Sequence, residues 1–529
     1  MLTTHFDKQQ PHSESFTPFL QQSTTQRPRY RALFSYIQQR ILSGELPAQS
    51  RLPSSRELAE LLSLSRNTVK QVYEMLLAEG YIETRHGDGS YVSQQLSLNL
   101  PTEHHSPAPD AQAVRLSAKS KQLEQIRPLF HQHPQQLLLP AIAALDQFPW
   151  QQWQRSVAHA GKQMKFSSGR NFMGEPALRS QIAAYLNATR GIRCDMQQVM
   201  ICSGSQQGMQ LAFSMLLNPG DKVLVEDPGF PGIDGAISNV GGIKVSVPID
   251  RQGFDTDTVL HDSQDARLAF ITPSRNFPLG FTLSLERRLQ LLKWARKHGC
   301  CIIEDDYDSE FRFDGPPLTA LQGLDGEHCV IYSGTFSRIL HPSMRLAYLV
   351  LPPALVDPFN RMRGFMDGGL SSLPQLALAD FMARGLFTSH LRRMRKLYKT
   401  RRSYLLQRID ETFSQQLVWE PSDGGMHGVF LLPPGSDDTA IAAQAMNEGL
   451  GIRPLSYYYD KQPPRTGLVI GFAGYNETQI DTGLARLKPI LDSHLKKRAI
   501  KRFIYSKWPK SCVHRKHRKK RKAKKRLLI

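Results

Sequence analysis

Apolar residues recur at helical spacing from Tyr30 onward: Leu33, Ile37 and Ile41 fall on one face of a helix that Ser43-Gly44 ends. Pro53 and Ser54 introduce a second helix with Leu58, Leu61 and Leu62 turned inward. Ser65 is placed to cap a third, in which Val69, Val72, Tyr73, Leu76 and Leu77 make a core stripe before Gly80 stops it. Two strand-like pieces follow, Tyr81 to Thr84 and Ser90 to Val92, joined by His86-Gly87-Asp88-Gly89. Three short helices followed by a hairpin predict a helix-turn-helix with a wing.

From about Gln95 to Lys119 the composition shifts to Pro, His, Ser and Ala with no apolar period, which marks a linker. Beyond it, buried-type runs alternate with helical segments. The runs are Val199 to Cys202, Val223 to Glu226, Ile243 to Val247, Leu268 to Thr272, Cys301 to Glu304, Cys329 to Ser333 and Leu346 to Leu351. SQQGMQLAFSMLL and LSLERRLQLLKWARKHG are two of the helices between them. Such alternation predicts an α/β fold with a mostly parallel sheet covered on both faces. A chain of 529 residues exceeds one hydrophobic core. The expected division is a loose arm over 1–28, a winged helix over 29–94, a linker over 95–119, a large domain over 120–495 and a basic tail over 496–529.

The net charge of +20 changes this picture less than its size suggests. From Lys496 onward the tail carries seventeen Lys and Arg and no acid, so the rest of the chain holds only +3. The tail is expected to be disordered by self-repulsion and able to add phosphate contacts of no sequence preference. No apolar run nears the roughly 20 residues that cross a bilayer, and MLTTHFDKQQPHSES has no signal-peptide core, so the expectation is a cytoplasmic protein. The six cysteines form no CxxC pair, so neither disulfides nor metal are expected.

The first turn of the third helix offers Ser65, Arg66, Asn67, Thr68 and Lys70 on the face opposite its core stripe. Arginine pairs bidentately with guanine and asparagine with adenine, while Lys70 suits a phosphate. The order LPSSRELAE, LSRNTVKQVYEMLLAEGY, HGDGSYV resembles the GntR family of winged-helix transcription factors over Tyr30 to Val92. That resemblance implies a double-stranded DNA operator as partner, with contacts from Arg56, Ser65, Arg66, Asn67, Lys70, His86 and Gly87.

In open parallel sheets ligands sit beyond the carboxyl ends of the strands, where several suggestive residues fall here. Ser203-Gly204-Ser205-Gln206 follows a strand and opens a helix, a place for a phosphate. Phe230 is placed to stack on a flat ring, Asn276 to reach a ring substituent, Asp305 to pair with a protonated ring nitrogen and Tyr307 to meet a phenolic oxygen. Thr335, Ser337 and Arg345 offer hydroxyls and a guanidinium to a phosphate. Together these are the contacts of a pyridoxal phosphate site. The stretch from Leu129 to Leu495 resembles the fold-type I aminotransferases, with FPWQQW, GEPALRSQIAAYL and LRRMRKLYKTRRSYL as further matching pieces. Coupled to the front module, the chain resembles the MocR subfamily of GntR regulators. The resemblance implies a homodimer that uses a vitamin B6 compound or an amino compound as signal.

One position departs from that pattern. Aminotransferases place a lysine after GTFS to condense with the cofactor aldehyde, and here Arg338 follows. A delocalised guanidinium stays protonated and cannot act as that nucleophile. No lysine occurs between Lys297 and Lys396. Arg275, before Asn276, adds a positive group where many relatives have histidine, and Val469 stands where aminotransferases keep an arginine for the substrate carboxylate. These departures lead to a regulator with no catalytic lysine, holding pyridoxal phosphate without a covalent link or having lost it. An aminotransferase carrying a DNA-binding appendage is the alternative.

Overall fold

The computed structural model describes residues 29–94, 117–124, 126, 136–166, 171–262, 265–326, 328–413 and 416–495, together with Phe16 and Phe19. The rest of the expected arm, the expected linker up to residue 116 and the basic tail lie outside the described residues. The chain forms two compact units, Met1–Arg115 and Leu116–Ile529.

In the first unit, helices Arg29–Leu42, Ser55–Leu61 and Arg66–Ala78 precede strands β1 (Ile82–Arg85) and β2 (Gly89–Val92). The strands pair antiparallel with Ile82 opposite Val92 and Arg85 opposite Gly89. The second helix starts at a capping box: Glu57 N donates to Ser54 Oγ at 3.2 Å, and Ser54 N donates to Glu57 Oε2 at 2.8 Å. The third starts where Thr68 N donates to Ser65 Oγ at 3.1 Å. Leu33, Ile37, Ile41, Leu58, Val69, Val72 and Leu76 close the core.

Leu77, expected in that stripe, is instead 43% exposed. Val69, Val72, Tyr73 and Leu76 already fill one face at helical spacing, and the next residue turns about 100° away from Leu76. Within the stretch read as a loose arm, Phe16 is fully buried in this core, its ring 6.5 Å from that of Tyr36. Phe19 lies 5.2 Å from the same ring.

The second unit is built on β3 (Val199–Cys202), β4 (Lys222–Asp227), β5 (Ile243–Asp250), β6 (Gly253–Phe254), β7 (Ala266–Ile271), β8 (Cys301–Asp306), β9 (Val330–Thr335) and β10 (Ala347–Val350). They form one sheet in the order β3-β10-β9-β8-β7-β4-β5-β6. The run β9-β8-β7-β4-β5 is parallel, while β10 is antiparallel to both its neighbours. Alternate side chains serve opposite faces. Leu268 and Phe270 pack with Met209, Phe213 and Phe359 on one side, whereas Ala269 and Ile271 pack with Leu291 and Trp294 on the other. Helices Ser205–Leu216 and Pro353–Met366 supply the first cover and helix Leu285–His298 the second.

A second sheet, absent from the sequence reading, joins β11 (Val418–Glu420), β12 (His427–Leu431), β13 (Arg453–Pro454) and β14 (Gly467–Gly471) in the antiparallel order β11-β12-β14-β13. Its register sets Arg453 opposite Val469. Helix Ala118–Glu124 begins inside the segment read as linker.

Candidate functional site

On the first unit, Arg56, Ser65, Arg66, Asn67, Lys70, His86 and Gly87 are all exposed. Arg56 Nε pairs with Glu60 Oε1 at 3.3 Å, and Ser65 is engaged as a cap. Arg66, Asn67 and Lys70 extend from the first turn of the third helix, opposite buried Val69 and Val72. Gly87 has φ +77°, and a Cβ there would meet nothing within 4 Å, so conformation rather than crowding favours glycine. Tyr91 donates to Asp88 Oδ2 at 2.8 Å, and the Arg85 guanidinium lies 4.2 Å from the Tyr91 ring centre. Arg51 bridges to Tyr91 across the hairpin edge and is exposed there. The sequence reading missed both exposed cations, because only strand pairing brings Arg51 to the wing.

In the second unit a cavity of about 350 Å³ opens beyond the carboxyl ends of β3, β4, β8 and β9. Ser205, Gln206, Phe230, Asp305, Tyr307, Thr335, Ser337, Arg338 and Arg345 all line it. Gly204, φ +81°, turns the chain into helix Ser205–Leu216, and a Cβ on it would approach the Arg345 guanidinium to 3.4 Å. Arg345, itself at φ +50°, donates from Nη2 to Ser203 O at 3.4 Å. A guanidinium over a helix N-terminus is an anion-binding arrangement. Ser337 N donates to Thr335 Oγ1 at 3.2 Å, and Ser337 Oγ is buried without a hydrogen-bond partner. Gln206 is committed to Gly232 O at 3.1 Å.

Asp305, next to last in β8, accepts at Oδ1 from Ser333 Oγ at 2.9 Å. Burial pushes its carboxyl up to about 6, against the Ser333 hydrogen bond and the Arg338 charge that favour the ionised form. Tyr307 is buried, which raises its phenol well above the ordinary range. Its hydroxyl meets no partner in hydrogen-bond geometry, although the Arg275 guanidinium approaches it. Half-buried Arg338 donates from Nη1 to Ala141 O at 2.9 Å. Burial lowers its pKa, opposed by Tyr307, Asp308 and Asp305. The Phe230 ring meets Phe277 edge-on at 5.9 Å.

Two expected contributors lie off the wall. Asn276 is buried, its Nδ2 donating to Pro228 O at 3.2 Å and its Oδ1 accepting from Leu279 N at 3.3 Å, so it ties its own loop to the one that follows β4. Arg275 turns to Asp308 Oδ2 at 3.2 Å and His427 O at 3.3 Å. The sequence reading also missed Ala141, Phe277, Arg453, Tyr457 and Tyr458 on the cavity wall. The tyrosine run in RPLSYYY was a legible signal, whereas a two-residue strand such as β13 has no period to read.

Residues 29–92 match the family model described as bacterial regulatory proteins, gntR family, and residues 140–487 match that of aminotransferase class I and II. The probable rhizopine catabolism regulatory protein MocR of Rhizobium meliloti is 35% identical over 87% of this chain and 93% of its own length. The chain is a MocR-type transcriptional regulator of the GntR family.

This MocR-type regulator is also 28% identical to the pyridoxine biosynthesis transcriptional regulator PdxR of Corynebacterium glutamicum, over 86% of the chain and 94% of the relative. The kynurenine aminotransferase of Pyrococcus horikoshii, solved in complex with PMP, matches it with a TM-score of 0.62 at 25% identity, over 73% of the regulator and 96% of the enzyme. The gntR module makes the first unit a DNA-binding module, and the second unit has the fold of pyridoxal-phosphate-dependent aminotransferases. The cavity fits such a cofactor: the Ser337 and Tyr307 hydroxyls are buried and unsatisfied on its wall, and Asp305 offers a carboxylate. Among the described residues no helix is long and apolar enough to cross a membrane.

Proposed function

We propose that this regulator binds an operator in cytoplasmic double-stranded DNA through Arg66, Asn67, Lys70 and the wing, and that its aminotransferase-like unit forms a homodimer and senses pyridoxal phosphate or an amino compound. The cofactor is held without a covalent bond, because Arg338 takes the place of the lysine that aminotransferases use. The observation that carries this reading is the placement of Arg338: its guanidinium lines the cavity beside Asp305 and Tyr307, tied to Ala141 O at 2.9 Å. A guanidinium there holds charge and hydrogen bonds but does not supply a neutral amine.

The cofactor's residues divide the work. Arg345, Ser205 and Ser337 receive its phosphate, Asp305 keeps its ring nitrogen protonated, Tyr307 donates to its phenolic oxygen and Phe230 covers the ring. When bound, the group supplies an aldehyde that an amine can engage, which gives the site a way to register amino compounds. In support of the dimer, Phe365 and Met366 at the end of helix Pro353–Met366 are 93% and 40% exposed, neighbouring apolar side chains that a second copy would cover. A ligand changes DNA affinity only as far as it binds one arrangement of the protein better than another. Operator duplexes selected from a random pool by the full-length protein allow the test. Adding pyridoxal phosphate is expected to change the affinity for the selected duplex, and an unchanged affinity with cofactor demonstrably bound would contradict the sensing role.

A further inference from the structure

Helix Leu386–Phe413 carries eight Lys and Arg between Arg392 and Arg408 and no acid before Asp410. Three of them are tied into the structure. Arg401 donates to Ala473 O at 2.5 Å, Arg402 donates to Ser422 O at 3.1 Å and meets Asp314 at 2.6 Å, and Arg408 meets Asp481 and Glu411, each at 2.7 Å. The other five, Arg392, Arg393, Arg395, Lys396 and Lys399, are exposed. At about 100° per residue they fall within about 160° of the helix circumference. Met394, Tyr398 and Leu405, on the opposite side, pack into the core. Arg395 donates to the Glu310 carbonyl at 2.9 Å and Lys399 lies 3.8 Å from Asp314, whereas no carboxylate of the described residues pairs with Arg392, Arg393 or Lys396.

A solvated helix face ordinarily mixes signs, as helix Glu477–His494 does with Glu477, Asp481, Arg486, Lys488 and Asp492. Like charges at i and i+4, here Arg392 with Lys396 and Arg395 with Lys399, repel and destabilise a helix. The cationic stripe therefore works against the free protein, and a polyanion laid along it relieves the repulsion. From Arg392 to Lys399 the helix rises about 10 Å, the axial length of about three phosphates of one DNA strand. The first unit brings such a polyanion to the same chain. Residues 93–117, between Val92 and helix Ala118–Glu124, span at most about 85 Å, or roughly 25 base pairs of duplex.

We infer that the exposed cationic face of helix Leu386–Phe413 binds the phosphate backbone of duplex DNA outside the operator, with Arg392, Arg393 and Lys396 as its main contacts. The contact is to phosphate and carries no base preference. It rests on operator binding by the first unit and adds a second DNA surface, on the aminotransferase-like unit.

Two duplexes test this with the full-length protein: the selected operator cut to the shortest length that keeps sequence-specific binding, and the same operator with about 25 arbitrary base pairs on each side. The triple variant Arg392→Gln, Arg393→Gln, Lys396→Gln is expected to bind the short duplex as the wild type does. On the long duplex it is expected to bind about tenfold more weakly at physiological salt, with the slope of log K against log salt shallower by about 2 to 3. A control variant, Lys293→Gln, Arg296→Gln, Lys297→Gln, removes as much exposed charge from helix Leu285–His298 and is expected to keep the wild-type slope on both duplexes. Equal losses in the two variants reduce the effect to net charge and overturn the inference, as does wild-type binding of the long duplex by the first variant. Failure of the wild type to bind the short duplex overturns the operator reading instead. If circular dichroism shows the triple variant unfolded, Arg392→Gln with Lys396→Gln carries the test: its slope on the long duplex is expected to fall by about 1 to 2, and an unchanged slope counts against the helix.

Discussion

Arg338 Nη1 donates to the carbonyl oxygen of Ala141, 2.9 Å away and 197 residues earlier in the chain. Ala141 holds φ +60°, a conformation that non-glycine residues rarely adopt, and both residues line the cavity. That hydrogen bond holds the guanidinium on the cavity wall. Replacing it with a shorter side chain frees that carbonyl and puts a titratable amine in the same place. Arg338→Lys is expected to gain a covalent cofactor linkage at residue 338, trapped by borohydride after incubation with pyridoxal phosphate. A folded variant that stays unlabelled would mean that Asp305, Tyr307 and Arg345 no longer compose a site.

Asp305 gives a pH dependence with a definite sign. Its folded carboxyl titrates near 6 against an ordinary 3.8. A raised value means its contribution to stability is full below 3.8 and is lost as the pH rises through about 6, where the ligand-free protein must hold a buried carboxylate. A cationic ring nitrogen opposite it relieves that cost. The rise in Tm on adding pyridoxal phosphate is therefore expected to grow from about pH 5 to about pH 7.5 in the wild type. Asp305→Asn is expected to flatten the profile. Equal slopes in the two proteins would show that Asp305 does not face the ring.

Arg66 stands exposed in the first turn of the third helix and is the best placed of its side chains to read guanine. Arg66→Ala is expected to cost about 1 to 3 kcal/mol and to relax the preference at one base pair. Binding measurements on a panel of single-base operator variants check this. A uniform loss on every duplex, with a shallower salt dependence, would make Arg66 a phosphate contact instead.

Ser65 was read from sequence both as a cap and as a DNA contact, and its hydroxyl accepts from Thr68 N at 3.1 Å. Ser65→Ala is expected to destabilise the first unit by about 0.5 to 2 kcal/mol, as removal of an N-cap does. Ser65→Asp, which keeps a capping oxygen, is expected to restore stability in urea unfolding while weakening DNA binding through repulsion of phosphate. Retained stability in the alanine variant would show that the cap is dispensable.

The small unit was legible because its helices are amphipathic and capped, so Ser54 and Ser65 mark the starts that the structure has. Leu77 was misplaced because Val69, Val72, Tyr73 and Leu76 already fill the buried face of that helix, and Leu77 lies at its edge, 43% exposed. The parallel strands were legible as apolar runs, and the residues at their ends, from Ser205 to Arg345, fell on the cavity for that topological reason. The antiparallel sheet was not, since β11 has three residues and β13 two. Arg453 and Ala141 reach the wall only through tertiary pairing, which no local pattern encodes. Asn276 shows the reverse: its chemistry suited a ring contact, but its side chain is spent on Pro228 O and Leu279 N.

The most direct test of non-covalent cofactor retention is borohydride reduction of the full-length wild-type protein with pyridoxal phosphate, followed by mass analysis of every lysine-containing peptide and by dialysis of an unreduced sample. The expected result is cofactor that binds, leaves on dialysis and labels no lysine stoichiometrically. Stoichiometric reduced cofactor on a single lysine, accompanied by steady amino transfer, would contradict it.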